Sequence, residues 1–114
     1  MNILSNSEKR LHINVTTAIN AATIYLQGSF IFDAHREFKN SYKNLLQNPN
    51  IGSITLNLAE VKYVDSAALG MLLLLREHIQ AANKSLTLSQ PSPYVKRIFE
   101  IANFHSLFAI NLER

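Results

Sequence analysis

Val64-Asp65-Ser66-Ala67-Ala68-Leu69-Gly70 is the stretch that decides the predicted fold of this chain. An apolar run at residues 54–58 precedes it and another at residues 71–75 follows it. This order predicts a strand, a short loop and a helix that begins at Asp65 or Ser66. Either side chain can cap the helix, because a short side-chain oxygen accepts a free backbone N–H of the first turn. The other side chain then points outward.

An outward hydroxyl of Ser66 would lie beside free amides and the positive end of the helix dipole. That position favours a negative charge, including a phosphate added to Ser66. Taken alone, an Asp-Ser pair is explained most simply as a helix cap, so a functional interpretation needs support from the rest of the chain.

The composition restricts the chemistry that the chain can carry out. Its 114 residues predict one domain with a hydrophobic core of its own. The chain has no cysteine, which excludes disulfides, thiolate metal sites and a cysteine nucleophile. The four histidines are dispersed and lack the spacing of metal ligands, so we expect neither a metal nor a cofactor.

Charge and hydropathy patterning predict a cytoplasmic protein without a nucleic-acid partner. The formal net charge is +3, but the Lys and Arg residues are scattered and do not interleave with aromatic residues. The longest apolar run, residues 67–75, ends at Arg76 and is too short to span a bilayer, so we expect no membrane insertion. Residues 1–10 are polar, lack the apolar core of a secretory signal, and are expected to form a flexible arm.

Hydrophobic periodicity and turn residues predict a small mixed α/β domain over residues 11–114. Residues 11–15 and 22–27 alternate apolar and polar side chains, so we expect an antiparallel hairpin whose second strand ends at Gly28. The elements expected after it are a helix capped by Asp33 and running to about Gln47, a strand at 54–58, a loop at 59–64, a helix at 66–83, a strand at 85–89, a helix with Ser92 as its cap and Pro93 as its first residue, and a short strand within 104–112. Because helices follow strands, the later strands are expected to be parallel, in a sheet of four to five strands with the helices packed on it.

The helix predicted at residues 66–83 carries apolar side chains on more than one side. At 100° per residue, its core side holds Ala68, Met71, Leu72, Leu75, Ile79 and Ala82. Leu69 and Leu73 instead share the polar sector with Ser66. Either a loop or terminal segment covers these two leucines, or they form an exposed apolar docking patch beside the hydroxyl. Gly70 lowers helix propensity by about 1 kcal/mol relative to Ala, so it serves either the close approach of a partner or internal packing.

These residues resemble the STAS domain family, the family of bacterial anti-sigma-factor antagonists. The segment Leu56-Asn57-Leu58 to Val61, followed by Val64-Asp65-Ser66-Ala67-Ala68-Leu69-Gly70-Met71-Leu72, is similar to the family's pattern of strand, loop, Asp-Ser, two small residues, Leu-Gly and apolar helix. The order of elements agrees from about Ile13 to Ala102. The turn after Gly28 also resembles the family's strand-to-helix turn, although Ile31 stands where an acidic residue is common.

The resemblance implies a protein switch without catalytic activity of its own. It implies that Ser66 is the phosphorylation site and that Asp65 orients the helix start and the hydroxyl. The residues implied to contact a partner are Asp65, Leu69, Gly70, Leu73 and, at the rim, Arg76. The implied partners are an anti-sigma factor that is an ATP-dependent serine kinase and a PP2C-type phosphatase. Unphosphorylated antagonist would bind the anti-sigma factor and so free the sigma factor, and phosphorylation would release it.

Two other functions are compatible with the same residues. A constitutive STAS module, either a scaffold or a regulatory subunit bound to a transporter's ATPase, would dock through the same helix without a phosphorylation switch. An enzyme with Ser66 as nucleophile would need a general base and an oxyanion site. No Gly-x-Ser-x-Gly motif surrounds Ser66, and the three glycines are too far apart to form a phosphate-binding loop, so we expect no enzymatic activity.

Overall fold

The computed structural model describes residues 10–113, so the arm predicted at residues 1–10 lies, apart from Arg10, outside the described residues. The strands are β1 (Leu11–Ala18), β2 (Ala21–Phe30), β3 (Ser53–Val64), β4 (Ser85–Ser89) and β5 (Ala109–Asn111). The helices are α1 (His35–Gln47), α2 (Ser66–Ala81) and α3 (Pro93–Ile101), and two 3-10 turns span Phe32–Ala34 and Phe104–Ser106.

The strands form one sheet in the order β1-β2-β3-β4-β5. β1 and β2 are an antiparallel hairpin, as predicted, and the other neighbours are parallel. All three strand–helix–strand connections step in the same direction across the sheet, and because such connections are right-handed, the helices lie on one face. On β3 this face carries the buried Ile54, Leu56 and Leu58, whereas Ser53 and Thr55 on the other face are half-exposed. The predicted mixed α/β fold is confirmed.

β3 is longer than predicted, and the loop expected at residues 59–64 is wrong. The strand continues to Val64, where it still pairs with Phe30 of β2. The register between the two strands shifts twice, so β3 contains two more residues than the part of β2 it faces. The buried side chains Leu58, Val61 and Val64 are therefore three residues apart, and this spacing hides the strand from a search for alternation.

The second register shift also corrects the expectation for Gly28. Gly28 does not end β2, because the strand runs on to Phe30 and the shift falls between Gly28 and Ser29. The φ of Gly28 is 107°, in a region that L side chains rarely adopt. The glycine that suggests a turn in the sequence therefore lies within β2, opposite the second bulge of β3.

Two predicted helix caps are wrong in detail. α1 begins at His35, because a 3-10 turn that contains Asp33 precedes it, and Asp33 makes no capping bond. α3 begins at Pro93 as predicted, but the Ser92 hydroxyl donates to the backbone oxygen of Val61 at 3.0 Å instead of capping the helix. This bond holds the start of α3 against the bulged part of β3.

Candidate functional site

The carboxyl ends of the parallel strands β2, β3 and β4 meet at one edge of the sheet. Open α/β sheets bind their ligands and partners outside such an edge. The segments that follow the strands carry Phe32 after β2, the pair Asp65-Ser66 after β3, and Tyr94 after β4. These segments define the candidate site.

Asp65 joins two helical starts with one carboxylate. Its Oδ1 atom accepts the backbone N–H of Ala68 at 2.8 Å, which confirms Asp65 as the N-cap of α2. Its Oδ2 atom accepts the backbone N–H of Phe32 at 3.2 Å, and its own N–H donates to the oxygen of Phe30 at 3.3 Å. Asp65 thus bonds the first residue of the 3-10 turn that contains Asp33, and it fixes the loop after β2 against the start of α2.

Ser66 is the first residue of α2 and is exposed. Among residues 10–113, no group forms a hydrogen bond with its hydroxyl. The free amides of the first turn give this position a positive potential, which the neighbouring Asp65 carboxylate partly offsets. The hydroxyl is therefore open to an external reagent, while no base within the described part of the chain activates it.

The accessible side of α2 is a row of residues that starts at Ser66. Ser66, Gly70 and Leu74 follow one another at intervals of four residues, and Leu74 is 42% exposed. Leu69 and Leu73, the leucines expected in the docking patch, are half-buried and pack against the core, although both are more exposed than the core leucines of the helix. The sequence pattern did not predict an exposed Leu74, because this residue lies between the core sector and the polar sector of the helix.

Gly70 leaves a gap in this row. A Cβ atom built on Gly70 would have no atom of a neighbouring element within 4 Å, so internal packing does not explain the glycine. The gap lies between the hydroxyl of Ser66 and the side chain of Leu74, one helical turn from each. It lets a group from another molecule approach the backbone of α2.

Arg76 lies away from the Asp-Ser pair. Its Nε atom donates to the backbone oxygen of Leu107 at 2.7 Å, which ties α2 to the segment before β5. Ten residues of helix separate Arg76 from Ser66, a rise of about 15 Å. The expected place of Arg76 at the rim of a partner surface stays a prediction.

Exposed aromatic side chains lie on the segments that flank the Asp-Ser pair, and no pattern in the sequence marked them. Phe32 is 57% exposed and stacks on His35, with the ring centroids 4.6 Å apart. Tyr63, at the end of β3, stacks on Tyr94, with centroids 6.2 Å apart. Phe32 and Tyr63 lie within two residues of the ends of β2 and β3, which is a signal in the sequence, but the bulges between these strands conceal where they end.

The described part of the chain shows neither a metal-binding cluster nor a membrane-spanning helix. Among residues 10–113, no three His, Asp or Glu side chains are grouped so that they could hold a metal ion. No helix in the same range is long and apolar enough to cross a membrane. The candidate site itself presents a hydroxyl, a gap and apolar side chains on one surface.

A comparison with protein families identifies the class to which this fold and site belong. The family model described as "Mlab, STAS domain" matches residues 13–110, most of the chain. The chain therefore belongs to the STAS domain family.

Individual relatives agree with this assignment. A STAS-domain containing protein of Pseudomonas aeruginosa is 42% identical over 89 residues, which cover 78% of this chain and 86% of the relative. The anti-sigma factor antagonist SpoIIAA in its unphosphorylated form has a TM-score of 0.72 at 17% identity, over 91% of this chain and 90% of that one. The phosphorylated form of SpoIIAA from Bacillus has a TM-score of 0.67 at 16% identity, over 91% and 93% of the two chains. At these identities, the likeness to SpoIIAA shows the fold.

Proposed function

We propose that this chain is an anti-sigma factor antagonist whose partner binding is controlled by phosphorylation of Ser66. The observation that carries the proposal is the exposed Ser66 hydroxyl at the start of α2, beside an Asp65 carboxylate that bonds both Ala68 and Phe32. The similar fold of SpoIIAA, known in unphosphorylated and phosphorylated forms, supports it.

The proposed partner is an anti-sigma factor that is also an ATP-dependent serine kinase. The kinase supplies the base that takes the proton of the Ser66 hydroxyl, and the γ-phosphoryl group of ATP moves to the serine oxygen while ADP leaves. A PP2C-type phosphatase hydrolyses the phosphoserine again. In this proposal the chain itself performs neither step and is only the protein substrate of the kinase and the phosphatase.

The proposed docking surface is the outer side of α2 together with the loop after β2. Gly70 admits the partner's backbone or side chain, and Leu74 and Phe32 supply exposed apolar area on either side of Ser66. Leu69 and Leu73 contribute their exposed edges. A few well-packed residues near the centre of an interface carry most of its binding energy, and a phosphate placed among them would have to be desolvated.

The proposed switch follows from the free-energy cost of desolvating the phosphate at the docking surface. A surface fitted to an uncharged hydroxyl cannot pair a phosphate, and a mismatched buried charge costs roughly 2–5 kcal/mol, a loss of affinity of about 30-fold to several thousand-fold. Unphosphorylated protein therefore binds the anti-sigma factor and frees the sigma factor, whereas phosphorylated protein releases it.

Titration calorimetry against the kinase-type anti-sigma factor of the same cell tests the proposal. Ser66→Ala should bind as tightly as unphosphorylated protein, and Ser66→Asp should bind weakly or not at all. Ser85→Asp is the matched control, because it adds the same charge at an exposed position on β4. Affinities of Ser66→Ala and Ser66→Asp within a factor of about three would overturn the switch. The chain would then be a constitutive scaffold or transporter-associated subunit.

A further inference from the structure

The outer side of β1 is a long free strand edge. β1 occupies one end of the sheet, and among residues 10–113 no strand pairs with its outer side. It pairs with β2 in an unbroken register from Leu11 opposite Gly28 to Ala18 opposite Ala21. Eight residues of β1 therefore present a regular edge with alternate unpaired N–H and C=O groups.

β1 lacks the features by which proteins usually prevent edge-to-edge pairing. Edge strands are commonly kept short, bulged, or supplied with Lys or Pro. The sequence of β1, LHINVTTA, contains no Lys, Arg, Asp, Glu, Pro or Gly, and it has no bulge against β2. The opposite edge of the sheet, β5, is only three residues long. The two edges differ, and β1 is the one open to pairing.

We propose that β1 pairs in antiparallel fashion with β1 of a second copy of this chain, so that two five-stranded sheets become one. When two copies of β1 run antiparallel, the apolar and polar side chains of one copy alternate in step with those of the other. Leu11, Ile13 and Val15 lie on the helix side, opposite Gly28, Leu26 and Ile24 of β2 in the register. His12, Asn14 and Thr16 lie on the open side. In a symmetric register centred on Asn14, Ile13 of one copy faces Val15 of the second copy, and polar side chains face polar side chains.

Apolar area on β1 remains uncovered in the monomer and is covered by this pairing. Val15 is 36% exposed and Ile13 is half-buried, although both face the side of the sheet that carries the helices. The strand contains no Lys, Arg, Asp or Glu, so the pairing brings no such like charges together. One strand edge forms a small interface, so we expect a weak dimer with a dissociation constant on the order of 10–100 µM.

The pairing does not depend on the proposed phosphorylation switch. Ser66 follows β3, and β2 lies between β3 and β1, a spacing of about 10 Å between the strand axes. The outer side of α2 is therefore left open in the dimer. Loss of the switch and loss of the dimer are separate outcomes, because calorimetry with the anti-sigma factor measures one and self-association measures the other.

Sedimentation equilibrium of the full chain between about 10 µM and 1 mM tests the proposal. The mass should rise with concentration from 12.9 kDa towards twice that value. Val15→Lys, which adds a charge of the type that protects natural edges, should raise the dissociation constant at least about tenfold. Ile19→Lys is the matched control, because Ile19 lies in the hairpin turn and is 90% exposed, and it should change the constant by less than about twofold.

Hydrogen exchange gives a second readout that does not require a variant. The two-residue turn closes on the pair Ala18–Ala21, so Ile13, Val15 and Thr17 direct their N–H groups away from β2. These three amides should become protected as the concentration rises, while amides in the turn should not change. A monomer at 1 mM would overturn the proposal. So would a dimer that Val15→Lys leaves intact, or one that Ile19→Lys weakens equally.

Discussion

At the scale of single residues, the Asp65 carboxylate determines the geometry of the candidate site. Its two oxygens accept backbone N–H groups from two separate segments of the chain, at Phe32 and at Ala68 in the first turn of α2. A carboxylate that caps a helix also complements the positive end of the helix dipole. One side chain therefore stabilises α2, orders the loop after β2 and positions the backbone that carries Ser66.

Replacement of Asp65 should separate these roles. Asp65→Ala should lower the free energy of unfolding by about 0.5–2 kcal/mol, because the cap of α2 is lost. Asp65→Asn keeps an oxygen that can accept from Ala68, but its amide group cannot accept from Phe32, so it should cost less stability and still release the loop. Urea denaturation measures the first effect and hydrogen exchange at the Phe32 amide measures the second.

The control for this pair is Asp33→Ala, because Asp33 is exposed and makes no capping bond. It should leave both the unfolding free energy and the Phe32 amide nearly unchanged. In the kinase reaction, Asp65→Ala should slow phosphorylation of Ser66, since the hydroxyl loses its fixed position. An Asp65→Ala protein that unfolds like the wild type would contradict the cap.

Gly70 offers a test in which stability and binding move in opposite directions. The space around a Cβ at Gly70 is open, so Gly70→Ala should stabilise α2 by up to about 1 kcal/mol. The same methyl group would fill the gap between Ser66 and Leu74 and should weaken binding of the anti-sigma factor. Thermal unfolding and titration calorimetry on one protein sample measure both. Unchanged affinity in a stabilised Gly70→Ala protein would show that the partner does not use the gap.

At the scale of the elements, α2 separates leucines that maintain the core from leucines that border the proposed docking surface. Leu72 is fully buried against the sheet, so Leu72→Ala should cost roughly 2–5 kcal/mol through the cavity that it leaves. Leu73 is half-buried, so Leu73→Ala should cost about 1 kcal/mol or a little more. Chemical denaturation measures the free energy of unfolding of both variants. Equal losses of stability would show that the orientation of α2 has been misassigned.

Burial of Tyr42, which contacts α2 from α1, should make stability depend on pH in the alkaline range. The hydroxyl of Tyr42 on α1 lies 3.0 Å from Nδ1 of His78 on α2, and burial raises the pKa of Tyr42 above 10.0. Because the folded-state pKa lies above the unfolded value, the stabilising contribution is complete below pH 10.0 and is lost as the pH rises through the folded-state pKa.

Tyr42→Phe should therefore flatten the loss of stability above pH 10.0. Urea denaturation at several pH values measures this slope, with Tyr63→Phe as the control at a half-exposed position on β3. The Tyr42→Phe protein should be less stable than the wild type at the lower pH, since the contact with His78 is lost. Identical slopes in the wild type and Tyr42→Phe would exclude Tyr42 as the titrating group.

At the scale of the whole molecule, the sequence predicts the fold better than it predicts the site. Several elements follow from local patterns, which are the regular alternation in β1, β2 and the first half of β3 and the apolar face of α2. The structure contains the hairpin and the parallel crossovers that these patterns predict. The bulges in β3 break the local period, so the sequence predicts a loop after Leu58 where the strand in fact continues. The bond between Asp65 and Phe32 joins residues from two strand ends and depends on their pairing in space, which no local pattern records.

Phosphorylation of Ser66 should act on the partner and leave the fold of the whole molecule intact. A phosphate adds about −1.5 to −2 charges, so the formal net charge falls from +3 to about +1. The free amides and dipole at the start of α2 favour this charge, and the Asp65 carboxylate opposes it. We expect the two effects to offset each other to within about 1 kcal/mol, a shift in Tm of less than about 8 °C.

Calorimetric melting of protein with phosphoserine incorporated at position 66 measures this shift, and phosphoserine at position 85 is the control for added charge alone. Circular dichroism should show unchanged helix content, because Asp65 still caps α2 through Ala68. Titration with the anti-sigma factor should meanwhile show the loss of affinity. A fall in Tm well beyond 8 °C, together with loss of helix, would mean that the phosphate melts α2. Release of the partner would then follow from unfolding of the docking helix and not from a charge placed on an intact surface.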